Sequence, residues 1–556
     1  MLYFIHLGRR NFINRMLRKT IYLLPLLCLL ACNFDEKKGD KRTVFRYNEI
    51  GTVTSLDPAA AVSFENISII NQLFNGLVEL DDSLHIKPSL AKSWNLSDDK
   101  INYTFSLRSD VVFHNNPCFL GNTGRKVTAN DFVYSFNRLF DAKLSSATTL
   151  LSYVENGNGK AFEAPNDSTF VIHLKKPFQP FLGILCMKYF SVVPREAIVM
   201  YGVEFRRNPV GTGPFKFKLW ENDSKIVLLR NENYFEQEQQ NQLPYLDAVS
   251  VSFIKDKETS FLNFLNKKTD MISGIDAINT DEVLTPEGKI NDKYKNSFAM
   301  QCTPFLKTDY LGFVIDEGLT VVKSSPLRLR DVRQAMNYGI DRNKMVSYLR
   351  KNLGIAGTAG FIPPGLPTYD GSKLIGYDYN PEMVRKSLNN AGYPNGKGLP
   401  EITLATTEQY LELAEYVQSQ LSEFGIRIKI DVQKSSVLAE AAANGKINFF
   451  RKSWVADYAD EENFLSLFYS KNWSPKGFNY THFKNSEFDS LYEKSEEETV
   501  DSIRLNNYRK MDSLIMNEAP VLVLYYDEAV RLVQNNISGL HINSLNLLNL
   551  KKVKKG

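Results

Sequence analysis

Five basic residues, Arg9, Arg10, Arg15, Arg18 and Lys19, lead into an apolar run from Ile21 to Ala31, with no acid among the first 31 residues. This pattern fixes the compartment in which the remainder folds. A run of about 11 residues falls well short of the roughly 20 that a helix needs to cross a bilayer's hydrocarbon, so residues 1–31 read as a secretory signal and not a membrane span. The formal charge of +4 changes meaning once that segment is removed, because 62 basic residues then face 63 acidic ones, a net of −1. A near-neutral body removes the electrostatic case for nucleic acid as a partner. The basic tail Lys551-Lys552-Val553-Lys554-Lys555 reads as a solvated terminus.

The apolar run closes on Leu29-Leu30-Ala31-Cys32, which resembles a bacterial lipobox. The resemblance implies that Cys32 becomes the first residue of the mature chain, carries diacylglycerol, and holds the protein on a membrane of the cell envelope, facing the periplasm or the exterior. Met16 opens a complete signal of this kind and is an alternative start. Residues 32–43, rich in Asp, Glu, Lys and Gly, have too little apolar content to fold and read as a tether. Beyond Cys32 the mature chain holds Cys118, Cys186 and Cys302, with no CxxC and no dense framework, so no disulfide scaffold is expected.

About 525 residues remain, 43% of the chain being hydrophobic, enough for more than one packed core. Strand-like runs at Thr43–Tyr47, Tyr103–Leu107, Thr169–Leu174, Lys225–Leu229 and Ala248–Phe253 alternate with helical spacing at Ala129–Phe140, Val332–Tyr338 and Leu411–Phe424, the last stopped by Gly425. That mixture predicts an α/β protein, punctuated by Gly and Pro clusters at 156–159, 208–214, 363–367 and 392–400. No HExxH, GxSxG, GxxxxGK[ST] or helix-opening GxGxxG is present, and the six histidines show no metal-ligand spacing. Neither an enzyme nor a metal or other cofactor is expected. His114 and His173 read as strand or loop residues.

Read in order, the chain resembles the peptide and nickel family of bacterial solute-binding proteins, family 5. The resemblance runs through Ser55-Leu56-Asp57-Pro58, Leu73-Phe74-Asn75-Gly76-Leu77, Leu90-Ala91-Lys92-Ser93-Trp94 and Tyr103-Thr104-Phe105-Ser106-Leu107-Arg108. It continues through Val111-Val112-Phe113-His114, Val127-Thr128-Ala129-Asn130-Asp131-Phe132, Val210-Gly211-Thr212-Gly213-Pro214-Phe215 and Leu329-Arg330-Asp331-Val332-Arg333. Thr128 and Asp131 have the spacing of a capping box. The glycines flanking Thr212 read as a hinge-side turn that needs torsions closed to other residues.

The resemblance implies a periplasmic-binding-protein type II-like fold, in which two main lobes close on a ligand and a third domain is inserted. Lobe I is placed at 44–80 with 207–308 and 527–556, the inserted lobe II at 81–206, and lobe III at 309–526. It also implies a monomer that delivers oligopeptides to the permease and ATPase of an ABC importer. A non-peptide ligand such as a nickel chelate or oligosaccharide, or a peptide-sensing role, is the alternative within the same fold; a secreted hydrolase would need a nucleophile and base that no motif supplies.

The segment Trp454-Val455-Ala456-Asp457-Tyr458 looks like the family's ligand loop, which assigns Asp457 to a peptide's α-amino group and Trp454 and Tyr458 to the wall beside it. A carboxylate gives a desolvated ammonium both a charge and an acceptor. Arg451 is placed against a peptide carboxylate, although Ala442 stands where some relatives carry a second arginine. Ser63 and Phe64 fall on what is a strand edge beside the peptide in relatives, where backbone pairing would ignore peptide sequence. Tyr526 and Asp527 complete the set, Asp527 standing where relatives often carry an aromatic.

Overall fold

The computed structural model describes residues 42–141, 143–155, 161–275 and 277–556. The signal, Cys32, most of the tether and the glycine cluster at 156–159 lie outside the described residues. The folded body runs from Val44 to Gly556.

The strands that build its two larger sheets, in chain order, are β1 (Val44–Asn48), β2 (Ala91–Leu96), β3 (Asn102–Leu107), β4 (Phe162–Asn166), β5 (Thr169–His173), β6 (Phe215–Glu221), β7 (Lys225–Arg230), β8 (Ala248–Ser252), β9 (Met271–Ser273), β10 (Phe298–Phe313), β11 (Ile402–Thr406), β12 (Ile428–Val432), β13 (Phe449–Val455) and β14 (Val521–Gln534). Ten of them form one continuous mixed sheet in the order β12-β11-β13-β10-β14-β9-β1-β8-β7-β6, and a short eleventh, Ile355–Ala356, pairs with β14. The expected strands all form, with ends moved by a residue or two, because each reads as an apolar alternation. In β5 the burial follows the period of two, with Phe170 and Ile172 inside. β2 to β5 make a separate four-stranded sheet in the order β2-β3-β5-β4. Its face packs on Phe132 and Phe136 of helix α2 (Ala129–Asn137), both fully buried, with the rings of Phe136 and Phe170 5.3 Å apart.

Thr128 and Asp131 do form a capping box at the start of α2. The helix is shorter than expected and passes into a 3-10 turn at Arg138–Phe140, where Arg138 turns aside to an ion pair with buried Asp57. Gly425 closes the helix over 411–422 at φ +77°, the left-handed geometry expected of it.

β10 and β14 are the longest strands of the sheet, 16 and 14 residues, and they run side by side between its two halves. The register slips between Pro304 and Thr308 and again between Asp309 and Tyr310. Apolar cores lie on either side of this irregularity. One gathers Phe45, Leu73, Phe105, Phe170, Val249 and the returning Val533 and Leu550; two others take Leu311, Val332, Val417 and Leu522, and Tyr310, Phe361, Phe464 and Tyr508.

Two expectations are overturned here. The C-terminal lysines are not a loose solvated tail: Lys551 is buried between Glu79 and Glu236, each 2.8 Å away, and Lys555 reaches Asp270 at 2.8 Å. The glycines beside Thr212 owe nothing to unusual torsions, since neither has positive φ. They are small because the backbone of residues 72–73 crosses there. A Cβ on Gly211 would stand 2.1 Å from the Leu73 carbonyl oxygen, and one on Gly213 would stand 2.4 Å from the Leu73 carbonyl carbon.

Candidate ligand-binding site

β1 runs parallel to β8 and β9, and β11 runs parallel to β12 and β13, so the two halves of the sheet each present the carboxyl ends of parallel strands. In open α/β sheets, ligands bind in the crevice outside such ends. The loop after β13 carries Asp457, and the turn after β11 carries Tyr410.

β13 pairs with β10 in the register Val455↔Lys307, Ser453↔Asp309 and Arg451↔Leu311. Strand alternation therefore puts Arg451, Ser453 and Val455 on one face and Lys452 and Trp454 on the other. Trp454 lies half-buried with its ring 5.3 Å from that of Phe478, and its indole N–H donates to Asn463 Oδ1 at 2.9 Å. The backbone N–H of Asp457 donates to the same oxygen at 3.2 Å. Asn463, 3% exposed, is thus a clamp that holds the bend between Trp454 and Asp457.

Asp457 itself is open to solvent yet crowded by protein, as a group on the wall of a cleft is, and that crowding pushes its carboxyl pKa up against a hydrogen bond from Asn463. Burial raises the Tyr189 phenol, and the negative charge of Asp457 raises it further. Tyr189, which packs on the first core, therefore lies within electrostatic reach of the acid.

Several expected site residues serve other purposes. Tyr458 is buried against the first core and donates its hydroxyl to Glu462, which also accepts from Tyr492. Its ring is taken up by that core and its hydroxyl by Glu462, so it is not a free wall. Tyr526 is 2% exposed and donates to the Gly360 carbonyl, so it belongs to the core under the sheet. Ser63 and Phe64 do not lie on a strand edge. Ser63 is the N-cap of helix α1 (Phe64–Leu73) and accepts from Asn66 N–H at 3.3 Å, which leaves Phe64 39% exposed at the helix start.

Asp527 is neither exposed nor unpaired. It meets Lys307 at 2.7 Å and Arg350 on its other oxygen, and these partners hold its pKa below the usual carboxylate range against desolvation. Arg451 is engaged as well, paired with fully buried Asp309 and lying over the Tyr410 ring at 3.3 Å. Ala442 is buried in a small apolar cluster with Phe450.

His114 is structural. Its Nδ1 accepts from Gly211 N–H at 3.3 Å and its Nε2 lies 3.0 Å from the Gly213 carbonyl, so the Nε2–H tautomer satisfies both contacts; burial pulls its pKa down to about 4. Among the described residues, no group of three or more His, Cys, Asp or Glu is placed to hold a metal.

Motif reading missed Asn463, Tyr189, Lys307 and Asp309. The last two carried a readable signal: charged residues inside the apolar run Phe305-Leu306-Lys307-Thr308-Asp309-Tyr310-Leu311 are costly unless paired. Asn463 and Tyr189 carried none, because their roles depend on where the chain returns.

Residues 85–476 match the family model described as bacterial extracellular solute-binding proteins, family 5 Middle. The chain is 25% identical over 552 residues to the dipeptide-binding protein DppE of Bacillus subtilis (strain 168), covering 94% of this chain and 93% of that one. Among solved structures it resembles HbpA2 from Haemophilus parasuis, with a TM-score of 0.79 and 20% identity over 92% of this chain and all of that one. It also resembles the periplasmic binding protein DppA from Helicobacter pylori, solved in complex with the peptide STSA, with a TM-score of 0.72 and 25% identity over 92% and 98% of the two chains.

Proposed function

The chain belongs to family 5 of the bacterial extracellular solute-binding proteins, and from that membership we propose that it captures short peptides in the cleft beside Asp457 and delivers them to an ABC importer. The observation that carries the reading is the Asp457 carboxylate. It is accessible yet crowded, held by Asn463, and carried on the loop at the carboxyl end of β13. A carboxylate that burial disfavours gains most from an ammonium that shares its desolvation. The relatives named above for dipeptides and for a bound peptide support the same ligand class.

The lobe division proposed from sequence, at 80/81, 206/207, 308/309 and 526/527, is supported at its last two boundaries by the register slips of β10 and β14. In this reading Cys32 carries the lipid, the protein faces the periplasm or exterior as a monomer, and the permease accepts the peptide from it. Binding and release complete the cycle without any chemical step on the ligand.

Asp457→Asn keeps the shape and removes the charge, so it costs on the order of 2–5 kcal/mol in peptide binding, as for one side of a desolvated pair. N-acetylation of the peptide costs a similar amount in the unaltered protein and almost nothing more in the variant. Calorimetry on the four combinations closes a double-mutant cycle. Equal acetylation penalties in both proteins would sink the assignment.

A further inference from the structure

Two carboxylates without partners stand at the end of β1. Glu49 follows the strand directly, and Glu65 lies in the first turn of α1. Both are half-buried, and among the described residues neither side chain makes a hydrogen bond or an ion pair. Burial and the charge of Glu65 push the Glu49 carboxyl up to about 8, against the pull of Arg531. Gly51 makes room for the pair. Its φ is not positive, and a Cβ there would displace the Glu65 carboxylate, whose Oε1 would stand 2.0 Å away.

Behind the acids a buried hydroxyl is also unused. The Glu49 N–H donates to Ser252 O at 2.9 Å, so the alternation of β1 continues through it and sets Tyr47 on the same face. Tyr47 is 1% exposed, its hydroxyl has no partner, and the charges of Glu49 and Arg531 both reach it. Such a hydroxyl is costly unless something arrives to bond it. Arg531 does not fill the place: it donates to the carbonyls of His541 and Asn546, forms no ion pair among the described residues, and feels Asp82 as well as Glu49. One arginine among three acids leaves this corner negative. Two carboxylates are too few to hold a metal, and the described residues supply no third ligand.

Glu49 stands at the carboxyl end of a parallel strand, where the ligand crevice is expected. Ile50 beside it and Phe64 beside Glu65 are each 39% exposed and offer apolar surface to the stem of a long side chain. We propose that Glu49 and Glu65 form a subsite for a basic side chain of the bound peptide, a guanidinium before an ammonium, with the Tyr47 hydroxyl at its floor. This rests on the peptide-binding reading above. The fork of a guanidinium has donors enough for both carboxylates and the phenol oxygen, whereas an ammonium is a single point charge.

Calorimetry with alanine peptides of two to five residues, carrying Arg, Lys, Met or Glu at each position in turn, tests it. In the unaltered protein Arg at one position binds about tenfold or more tighter than Met, Lys falls between them and Glu binds weakest, as for a charge pair desolvated together. Glu49→Gln and Glu65→Gln each bring the Arg-to-Met ratio at that position to within about threefold. Glutamine keeps the shape of a protonated carboxyl, and melting curves establish that both variants are folded. The proton gives a second readout. Glu49 is protonated at pH 7 and must ionise to pair with the guest, so the Arg peptide releases about one proton more than the Met peptide, and Glu49→Gln abolishes the difference. Heats in two buffers of different ionisation enthalpy count it. Equal binding of Arg and Met at every position, one ratio shared by all three proteins, or equal proton release overturns the subsite and leaves the peptide-binding reading standing. No binding of any peptide of the set overturns both.

Discussion

Glu462 is 2% exposed, with the hydroxyls of Tyr458 and Tyr492 donating to its two oxygens, and burial pushes its pKa up to about 7. Glu461 beside it and Asp512, which accepts from Phe361 N–H at 2.7 Å, are raised by burial to about 7 as well. A carboxyl whose folded pKa exceeds its unfolded value binds more protons in the folded state between the two, so stability falls as pH rises through that window, here from about 4.5 to about 7. The protein is therefore expected to melt higher at pH 5 than at pH 8. Glu462→Gln removes part of that slope, gaining on the order of 2 kcal/mol at pH 8 and little at pH 5. Parallel melting curves for both proteins across the range would refute the assignment. Asp457 was legible as a candidate for the proposed site because Trp454, Asp457 and Tyr458 form a local motif. The pairing of Tyr458 with Glu462 was not, since the same short segment gives no hint which aromatic faces a cleft and which faces a core.

At the scale of elements, periodicity located β1, β3, β5, β7 and β8 and the three helical runs, because in each the burial follows the sequence pattern. It failed where a tertiary crossing decides. Ser63 and Phe64 follow an extended stretch, yet the Ser63 side chain caps a helix, a local hydrogen bond that wins over strand pairing. β10 escaped notice because Pro304, Lys307 and Asp309 break its apolar pattern, and those residues mark the slipped register and the ion network. The crossing at Gly213 gives a direct test. A Cβ there meets backbone at 2.4 and 2.6 Å, and backbone cannot rotate away. Gly213→Ala is expected to destabilise by roughly 2–4 kcal/mol through overpacking, whereas Gly183→Ala, where nothing lies within 4 Å, stays within about 1 kcal/mol. Chemical denaturation of the two variants checks it, and equal midpoints would show that the crossing does not require a glycine at 213.

For the whole molecule, one sheet serves both halves, and the ladder that joins them is interrupted at the slipped stretch of β10 and β14. Away from that stretch the halves are fastened by side chains: Lys176, after β5, lies 2.7 Å from Glu496 near the end of helix α3 (Ser486–Glu497), and the Gln179 N–H reaches the Glu496 carbonyl at 3.4 Å. Glu496 is largely buried in this contact while Lys176 stays partly in water, so the pair alone contributes roughly 1 kcal/mol. Reversal costs more, because Lys176→Glu sets two acids against each other and leaves the buried one unpaired. The ligand-free variant is then expected to populate a more open form, with a larger radius of gyration by small-angle scattering. Apparent peptide affinity falls by the fraction of molecules no longer closed, while saturating peptide restores compaction. Adding Glu496→Lys to Lys176→Glu returns the pair with its charges exchanged, and both scattering and affinity recover toward the starting values. If the single and double reversals scatter alike and bind alike, the fastening contributes nothing to closure.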